Sequence, residues 1–188
     1  LQQKGLQPFA FQQETWQHMQ QGKSGIVNAP TGCGKTFSVF LGSLIQFIDA
    51  HPHDWQTQKN NGLQLLWITP LRALGKDLAR AMQEVVEELG MLWKVRIRNG
   101  DTDTAERARQ KKQMPEVLII TPESLHLLLA MKGHHYFFKT LRTIAVDEWH
   151  ELIGSKRGVQ VELAVAYLID CKRLTEDRNP IVEKELLP

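Results

Sequence analysis

The stretch Ala29-Pro30-Thr31-Gly32-Cys33-Gly34-Lys35-Thr36 stands between a short β-type run, Ser24 to Asn28, and a helical pattern, Lys35 to Ala50. A glycine-bearing turn leading from a strand into a helix is where backbone amides converge on an anion. Gly32 and Gly34 let the backbone bend and approach closely. Their amides, with those of Cys33, Lys35 and Thr36, form a concave nest at the positive end of the helix dipole, and Thr31 completes the loop. The Lys35 ammonium would reach the β- and γ-phosphates of a nucleoside triphosphate, and the Thr36 hydroxyl would ligate Mg²⁺. The first position is Ala29, not the glycine of the general pattern. A Gly-Lys-Thr tripeptide alone is weak evidence, because surface loops carry such residues incidentally.

On either side of this loop, β-type runs alternate with helical patterns. Gln12 to Gln21 reads as a helix closed by Gly22. In Lys35 to Ala50, Phe37, Phe40, Leu41, Leu44, Ile45 and Ile48 recur at the spacing of a buried helical stripe. His51 to Gly62 is polar and reads as a loop; Leu63 to Ile68 is a strand, and Leu71 to Leu89 a helix closed by Gly90. Lys94 to Arg98 alternates, and Asp103 to Lys112 is a polar helix with Thr102 or Asp103 as its N-cap. Val117 to Ile120 and Leu141 to Val146 are continuous apolar runs suited to central parallel strands, with helices over Ser124 to Ala130 and Val159 to Ile169. The expected class is α/β: a mostly parallel sheet with helices on both faces. Residues 1–170 form the domain, and the charged 171–188 reads as a tail or linker.

The apolar run Ile144-Ala145-Val146 is followed by Asp147-Glu148-Trp149-His150. Asp147 and Glu148 therefore emerge at a strand's carboxyl end, where open α/β sheets bind ligands. Asp147 is placed to hold Mg²⁺, and Glu148 to polarise the water that attacks a γ-phosphate. Two solvated acids after a core strand are common by themselves. A phosphate site and a metal site at strand ends of one alternating chain are not, and the pair points to nucleotide hydrolysis.

Ala-x-Thr-Gly-x-Gly-Lys-Thr together with Asp-Glu-x-His resembles the signature of superfamily-two helicases of the DExH branch. The resemblance spans roughly residues 5 to 170 and implies a RecA-like P-loop domain that uses ATP and Mg²⁺. Pro8-Phe9-Ala10-Phe11-Gln12 looks like the family's Q motif, which implies that Gln12 reads the adenine edge. Thr69-Pro70-Leu71-Arg72-Ala73-Leu74, Arg98-Asn99-Gly100-Asp101-Thr102 and Thr121-Pro122-Glu123-Ser124-Leu125 resemble its nucleic-acid-facing motifs, in the family's order. The implied strand contacts are Thr69, Arg72, Gly100, Thr102, Thr121 and Ser124, touching the phosphate backbone of single-stranded DNA or RNA. Asp147 to His150 followed by Gly154-Ser155-Lys156-Arg157-Gly158 is most similar to the Lhr group of large helicase-related proteins, and within it to the bacterial, ligase-associated branch. That likeness implies DNA repair, with a DNA ligase or nuclease as a partner. It also implies that His150 links the nucleotide site to a second RecA-like domain. This sequence departs from the family in carrying neither a Ser-Ala-Thr motif after Asp-Glu-Trp-His nor a second core domain with arginine fingers, so the fragment is expected to hydrolyse ATP slowly and not to unwind a duplex alone.

The residues themselves support the strand contacts. Short hydroxyls and amides at helix starts suit phosphates, which position a strand without reading its sequence. Helix capping by Thr69, Thr121 and Ser124 uses the same atoms. Arg72, in a first helical turn, opposes the helix dipole, and a bound phosphate would compensate it. Lys156-Arg157 is an equal match to a strand contact or a solvated loop.

The net charge of +2 announces no basic surface, and a protein that grips phosphates with amides needs none. Cys33 and Cys171 cannot build a disulfide framework and fit a reducing cytoplasm. The chain opens Leu1-Gln2-Gln3-Lys4, without Met or an apolar leader core, as a piece of a longer protein would. No run has the length of a membrane span. The histidines have no cysteines at zinc spacing. Trp16, Trp67 and Trp93 belong to the core or its rim. Two other readings stay open on the residues alone: another class of P-loop NTPase, or a catalytically silent nucleic-acid-binding module. No Asn-Lys-x-Asp guanine reader is present, and Asp-Glu-Trp-His is a hydrolysis motif rather than a kinase acceptor site.

Overall fold

The computed structural model describes residues 7–30 and 32–176. In chain order the elements are α1 (Ala10–Gln20), α2 (Lys35–Ala50), β1 (Leu65–Ile68), α3 (Arg72–Glu88), β2 (Val95–Arg98), α4 (Thr104–Lys112), β3 (Val117–Ile120), α5 (Pro122–Leu129), a 3₁₀ turn at His134–Phe138, β4 (Thr143–Val146), α6 (Trp149–Leu152) and α7 (Lys156–Glu176). The strands form one parallel sheet in the order β2-β3-β1-β4.

Strand alternation sorts the core into two layers. Leu65, Trp67, Val117, Ile119 and Ala145 face α2 and α3, where Phe40, Leu44, Met82 and Val86 are buried. Leu66, Ile68, Leu118 and Ile120 face the other way, onto Leu125 and Leu128 of α5, Leu152 of α6, and Val161, Ala164 and Leu168 of α7. Both faces of the sheet are thus covered, which is why the central strands read as unbroken apolar runs. Helix α1 lies outside α2. Trp16 Nε1 donates to the Ser38 carbonyl at 2.8 Å, and a Cβ at Gly42 would stand 2.5 Å from Met19 Sδ, so glycine lets α1 seat closely.

Helix α2 and β3 run over the residues the patterns mark, and Asp103 caps α4 by accepting from the Glu106 amide at 2.6 Å. Two expectations change. Ser24–Asn28 forms no strand: the described sheet has four strands, β4 pairs on one side only, and Ile26 is 91% exposed. Short β-type sequence becomes strand only with a backbone partner and a surface to pack on. Helix α7 passes through residue 170 and continues to Glu176. A one-turn helix, α6, begins at Trp149 within the acidic motif.

Candidate nucleotide and nucleic-acid site

Register places the candidate residues. Ile68 pairs with both Ile120 and Val146, and Arg98 with Ile120. The residues that follow, Thr69, Asn99, Thr121 and Asp147, therefore form one row across the carboxyl edge of the sheet. Their backbone amides complete the ladder: Asp147 donates to Ile68 at 2.8 Å, Thr69 to Ile120 at 3.0 Å and Thr121 to Arg98 at 3.3 Å.

The start of α2 points to the same edge. Its later residues are anchored at the amino edge, where the Phe47 ring meets Trp93 at 4.8 Å and Thr143 Oγ1 donates to Gln46 Oε1 at 3.2 Å. Lys35 precedes Gln46 by a helical rise of roughly 16 Å, and Asp147 follows Thr143 by roughly 13 Å of strand. Helical rise thus carries Lys35 and Thr36 away from the amino edge, on the helix side of the sheet.

Gly32 and Gly34 both have positive φ, 83° and 78°, a backbone conformation natural to glycine. The first amides of α2 have no carbonyl ahead of them in the helix and face the loop's concavity. Lys35 Nζ donates to the Ala29 carbonyl at 2.5 Å, folding the cation back over the loop. Gln12 Nε2 donates to the Gly34 carbonyl at 3.3 Å, while its Oε1 accepts from the Phe9 amide at 3.0 Å. Both ends of the Gln12 amide are therefore spent on tying the segment before α1 to the glycine loop before α2. Cys33 and Thr36 are half-buried. Thr31 lies outside the described residues.

Asp147 and Glu148 are half-buried, and Trp149 and His150 are exposed. Both Asp147 oxygens are oriented: Oδ1 accepts from the Glu148 amide at 3.0 Å and Oδ2 from Trp67 Nε1 at 3.3 Å. Glu148 adopts φ 48° and ψ 45°, left-handed backbone for a non-glycine residue. Such conformations concentrate where a side chain must be aimed. Its carboxylate lies 3.4 Å from His150 Nδ1, and His150 Nε2 lies 3.4 Å from Glu151.

Donor types fit a metal-bound nucleotide. A loop with positive-φ glycines, free first-turn amides and one lysine suits a polyphosphate. A threonine hydroxyl and a carboxylate at one edge are hard oxygen ligands of the kind Mg²⁺ takes, usually keeping several waters.

The row of strand ends brings the expected nucleic-acid residues together, but not with free hydroxyls. Thr69 is buried, and its Oγ1 accepts from the Leu71 amide at 3.4 Å. Thr121 Oγ1 caps α5 by accepting from the Ser124 amide at 3.4 Å and donates to Ser124 Oγ at 3.2 Å; both residues are buried. Thr102 Oγ1 accepts from the Asn99 amide at 2.9 Å and tightens that turn. Arg72 and Gly100 are exposed and adjacent: a Cβ on Gly100 would stand 3.1 Å from the Arg72 guanidinium. Asp101 Oδ1, 3.8 Å from Arg72 Nη1, supplies the negative charge that an arginine in a first turn calls for.

Three side chains make contacts that sequence reading did not assign to them. Trp67 orients Asp147 from the middle of β1. Arg98 is buried with Nη1 on Gln110 Oε1 at 3.1 Å; burial, then the nearby charge of Arg107, weakens its hold on its proton. Arg157 reaches Glu123 and Pro70 across the sheet edge. Only the last carried a signal, its place between two glycines after the acidic motif.

A DEAD/DEAH box helicase profile matches residues 9–181. The chain is 34% identical over 173 residues to the Lhr helicase/uracil glycosylase of Escherichia coli, covering 86% of this chain and 11% of that protein. It is 35% identical over 146 residues to the ATP-dependent helicase Lhr-Core of Sulfolobus acidocaldarius, covering 74% and 16%. The structure of Mycobacterium smegmatis helicase Lhr bound to ssDNA and AMP-PNP superposes with a TM-score of 0.72 at 31% identity, over 88% of this chain and 21% of that one. The chain thus spans between a tenth and about a fifth of the length of these relatives. No helix among the described residues is long and apolar enough to cross a membrane. With the acidic strand end and the parallel RecA-like sheet in place, this chain belongs to the DEAD/DEAH box helicases and is a homologue of the Lhr helicases.

Proposed function

We propose that this chain is the first motor domain of an ATP-driven nucleic-acid helicase or translocase, part of a longer polypeptide acting on DNA in repair. The observation that supports the reading is the shared edge: the acids Asp147 and Glu148 and the row Thr69, Asn99 and Thr121 follow the strands on one rim of one sheet, toward which the helical rise of α2 carries its first residues. Nucleotide and strand would therefore bind to the same rigid frame, and movement at one is felt at the other.

Lys35 leaves the Ala29 carbonyl and turns to the phosphates, where its charge and the loop amides stabilise negative charge that builds on the transferred group. Mg²⁺, held by Thr36 and Asp147, would neutralise phosphate charge when bound. Glu148 takes a proton from the attacking water at its carboxylate, and His150, 3.4 Å away, steadies that carboxylate. Gln12 would exchange its bonds to the Gly34 carbonyl and the Phe9 amide for an adenine edge, beside the Phe9 and Phe11 rings, which stack 5.9 Å apart. Arg72, with the backbone around Gly100, Thr102, Thr121 and Ser124, lies along a single strand of DNA or RNA. A second RecA-like domain would close over the rim and add cations to the site, and a DNA ligase or nuclease would share the pathway.

The test is calorimetric titration of ATP with Mg²⁺ into this chain and into Lys35→Ala. Binding to the native chain that is weakened about tenfold or more in the variant, at unchanged melting temperature, supports the reading. Equal affinity removes Lys35 from the nucleotide site.

A further inference from the structure

Arg157, in the first turn of α7, joins three segments that are distant in sequence. Its Nη2 donates to the Pro70 carbonyl at 3.0 Å, in the loop between β1 and α3. Its Nε stands 2.6 Å from Glu123 Oε1, and Nη2 lies 3.4 Å from Glu123 Oε2, at the start of α5. The Nε approach is too oblique for a hydrogen bond, so charge holds the pair and Nη2 supplies its direction. Neither residue is fully exposed to screening solvent, with side chains 39% and 44% accessible.

The next residue, Gly158, makes the closest backbone approach of any glycine in the described chain. A Cβ there would stand 2.1 Å from the Leu152 carbonyl oxygen. Ser155 closes the same turn: its Oγ donates to the Leu152 carbonyl at 2.7 Å and accepts from the Gly158 amide at 3.1 Å. Leu152 ends α6, the one-turn helix that starts from Glu148, and the Glu151 amide donates to the Glu148 carbonyl at 2.9 Å. An unbroken set of contacts thus runs from Pro70 and Glu123, through Arg157 and the Gly158–Leu152 seam, to the left-handed backbone of Glu148. It has little slack, because backbone packs directly on backbone at the seam.

We propose that Arg157 is a positioning residue that couples the strand-facing loops to Glu148, so that a nucleic-acid strand lying on the Pro70 and α5 loops shifts the Arg157 clamp and brings α6, and with it the Glu148 carboxylate, into line. The guanidinium is turned into the protein rather than offered to a phosphate. The inference rests on the helicase reading above, because without a bound strand the clamp has nothing to transmit.

The test uses the full-length polypeptide that contains this chain, with a single-stranded DNA oligonucleotide as the probe. ATP turnover is followed against strand concentration for the native protein, Arg157→Gln, Arg157→Lys, Glu123→Gln and the exchanged pair Arg157→Glu with Glu123→Arg. In Arg157→Gln and Glu123→Gln the maximal strand-stimulated rate should fall about tenfold, as expected for loss of a coupling between two sites. The strand concentration for half-stimulation and the unstimulated rate should each stay within about threefold. Arg157→Lys, which keeps the charge but not the fork, should fall between, and the exchanged pair should recover part of the stimulation. Three outcomes overturn the coupling. Half-stimulation moving to much higher strand concentration at an unchanged maximal rate makes Arg157 a strand contact. Joint loss of unstimulated rate and melting temperature in Arg157→Lys as well makes it structural. Unchanged stimulation in both Arg157→Gln and Glu123→Gln shows that no coupling passes through the pair. If the native protein itself shows no stimulation by any strand, the helicase reading fails, and that result is distinct from the other three.

Discussion

The indole N–H of Trp67 donates to Asp147 Oδ2 at 3.3 Å, across a sequence separation of 80 residues. Trp67 is 3% exposed and packs among Phe40, Leu65 and Ile119 beneath the sheet edge, so a core side chain sets the direction of the acid proposed to hold the metal. Trp67→Phe keeps most of the ring packing and removes the donor. It should destabilise the domain by about 2 kcal/mol, the sum of a bond to a charged group and a small void. A denaturant melt measures this, and ATP titration with and without Mg²⁺ should show weakening only in the presence of the metal.

Glu148 is aimed by strained backbone, and His150 is its neighbour. Glu148→Gln retains shape and hydrogen bonding but not the basic carboxylate. In the full-length polypeptide, strand-stimulated ATP turnover should fall by about 10²–10⁴-fold, the usual worth of a positioned general base. ATP affinity should stay within about threefold, the signature of a group that acts in the transition state. Near-normal turnover would take the base away from Glu148.

Burial alone would push the Glu123 carboxyl up; its own backbone amide, the Arg157 guanidinium and the Thr121 hydroxyl outweigh that and hold it below the ordinary glutamate value. A carboxyl with a lowered folded-state pKa adds stability that is complete above the ordinary value and is lost as pH falls through the lowered one. The stability gap between the native chain and Glu123→Gln should therefore be constant at neutral pH and close in acid. Melts from pH 7 down to about pH 3 check this. A gap that persists at the acid end would mean that packing, not charge, holds the pair.

Gly158 has no room for a side chain against the Leu152 carbonyl. Gly158→Ala must move α7 away from α6, at a cost of about 1–3 kcal/mol for overpacking against backbone. The melting temperature should fall, whereas Gly25→Ala, with nothing within 4 Å of its Cβ, should leave it unchanged.

The sequence by itself determined those parts whose information is local. The stripe from Phe37 to Ile48 makes a helix wherever it can bury one face, and Val117 to Ile120 suits a strand covered on both sides. Asp103 caps because its carboxylate reaches an amide three residues on. The alternation of such segments implied a parallel sheet, and Asp147-Glu148 after an apolar run implied its carboxyl edge. Tertiary structure alone decided what needs a distant partner. Ser24–Asn28 has strand-like residues but no backbone to pair with, so it stays out of the sheet. Thr69, Thr121 and Ser124 have hydroxyls suited to phosphates and to caps; the fold buries them and bonds each one locally, Thr121 as the cap of α5, Thr69 to the Leu71 amide and Ser124 to Thr121, because a buried hydroxyl must be bonded where it lies. Trp67 meets Asp147, and Arg157 meets Glu123, only because register and helix packing bring together residues 80 and 34 positions apart. No pattern along the chain encodes such a meeting, since it depends on which strands become neighbours and on the face each side chain takes.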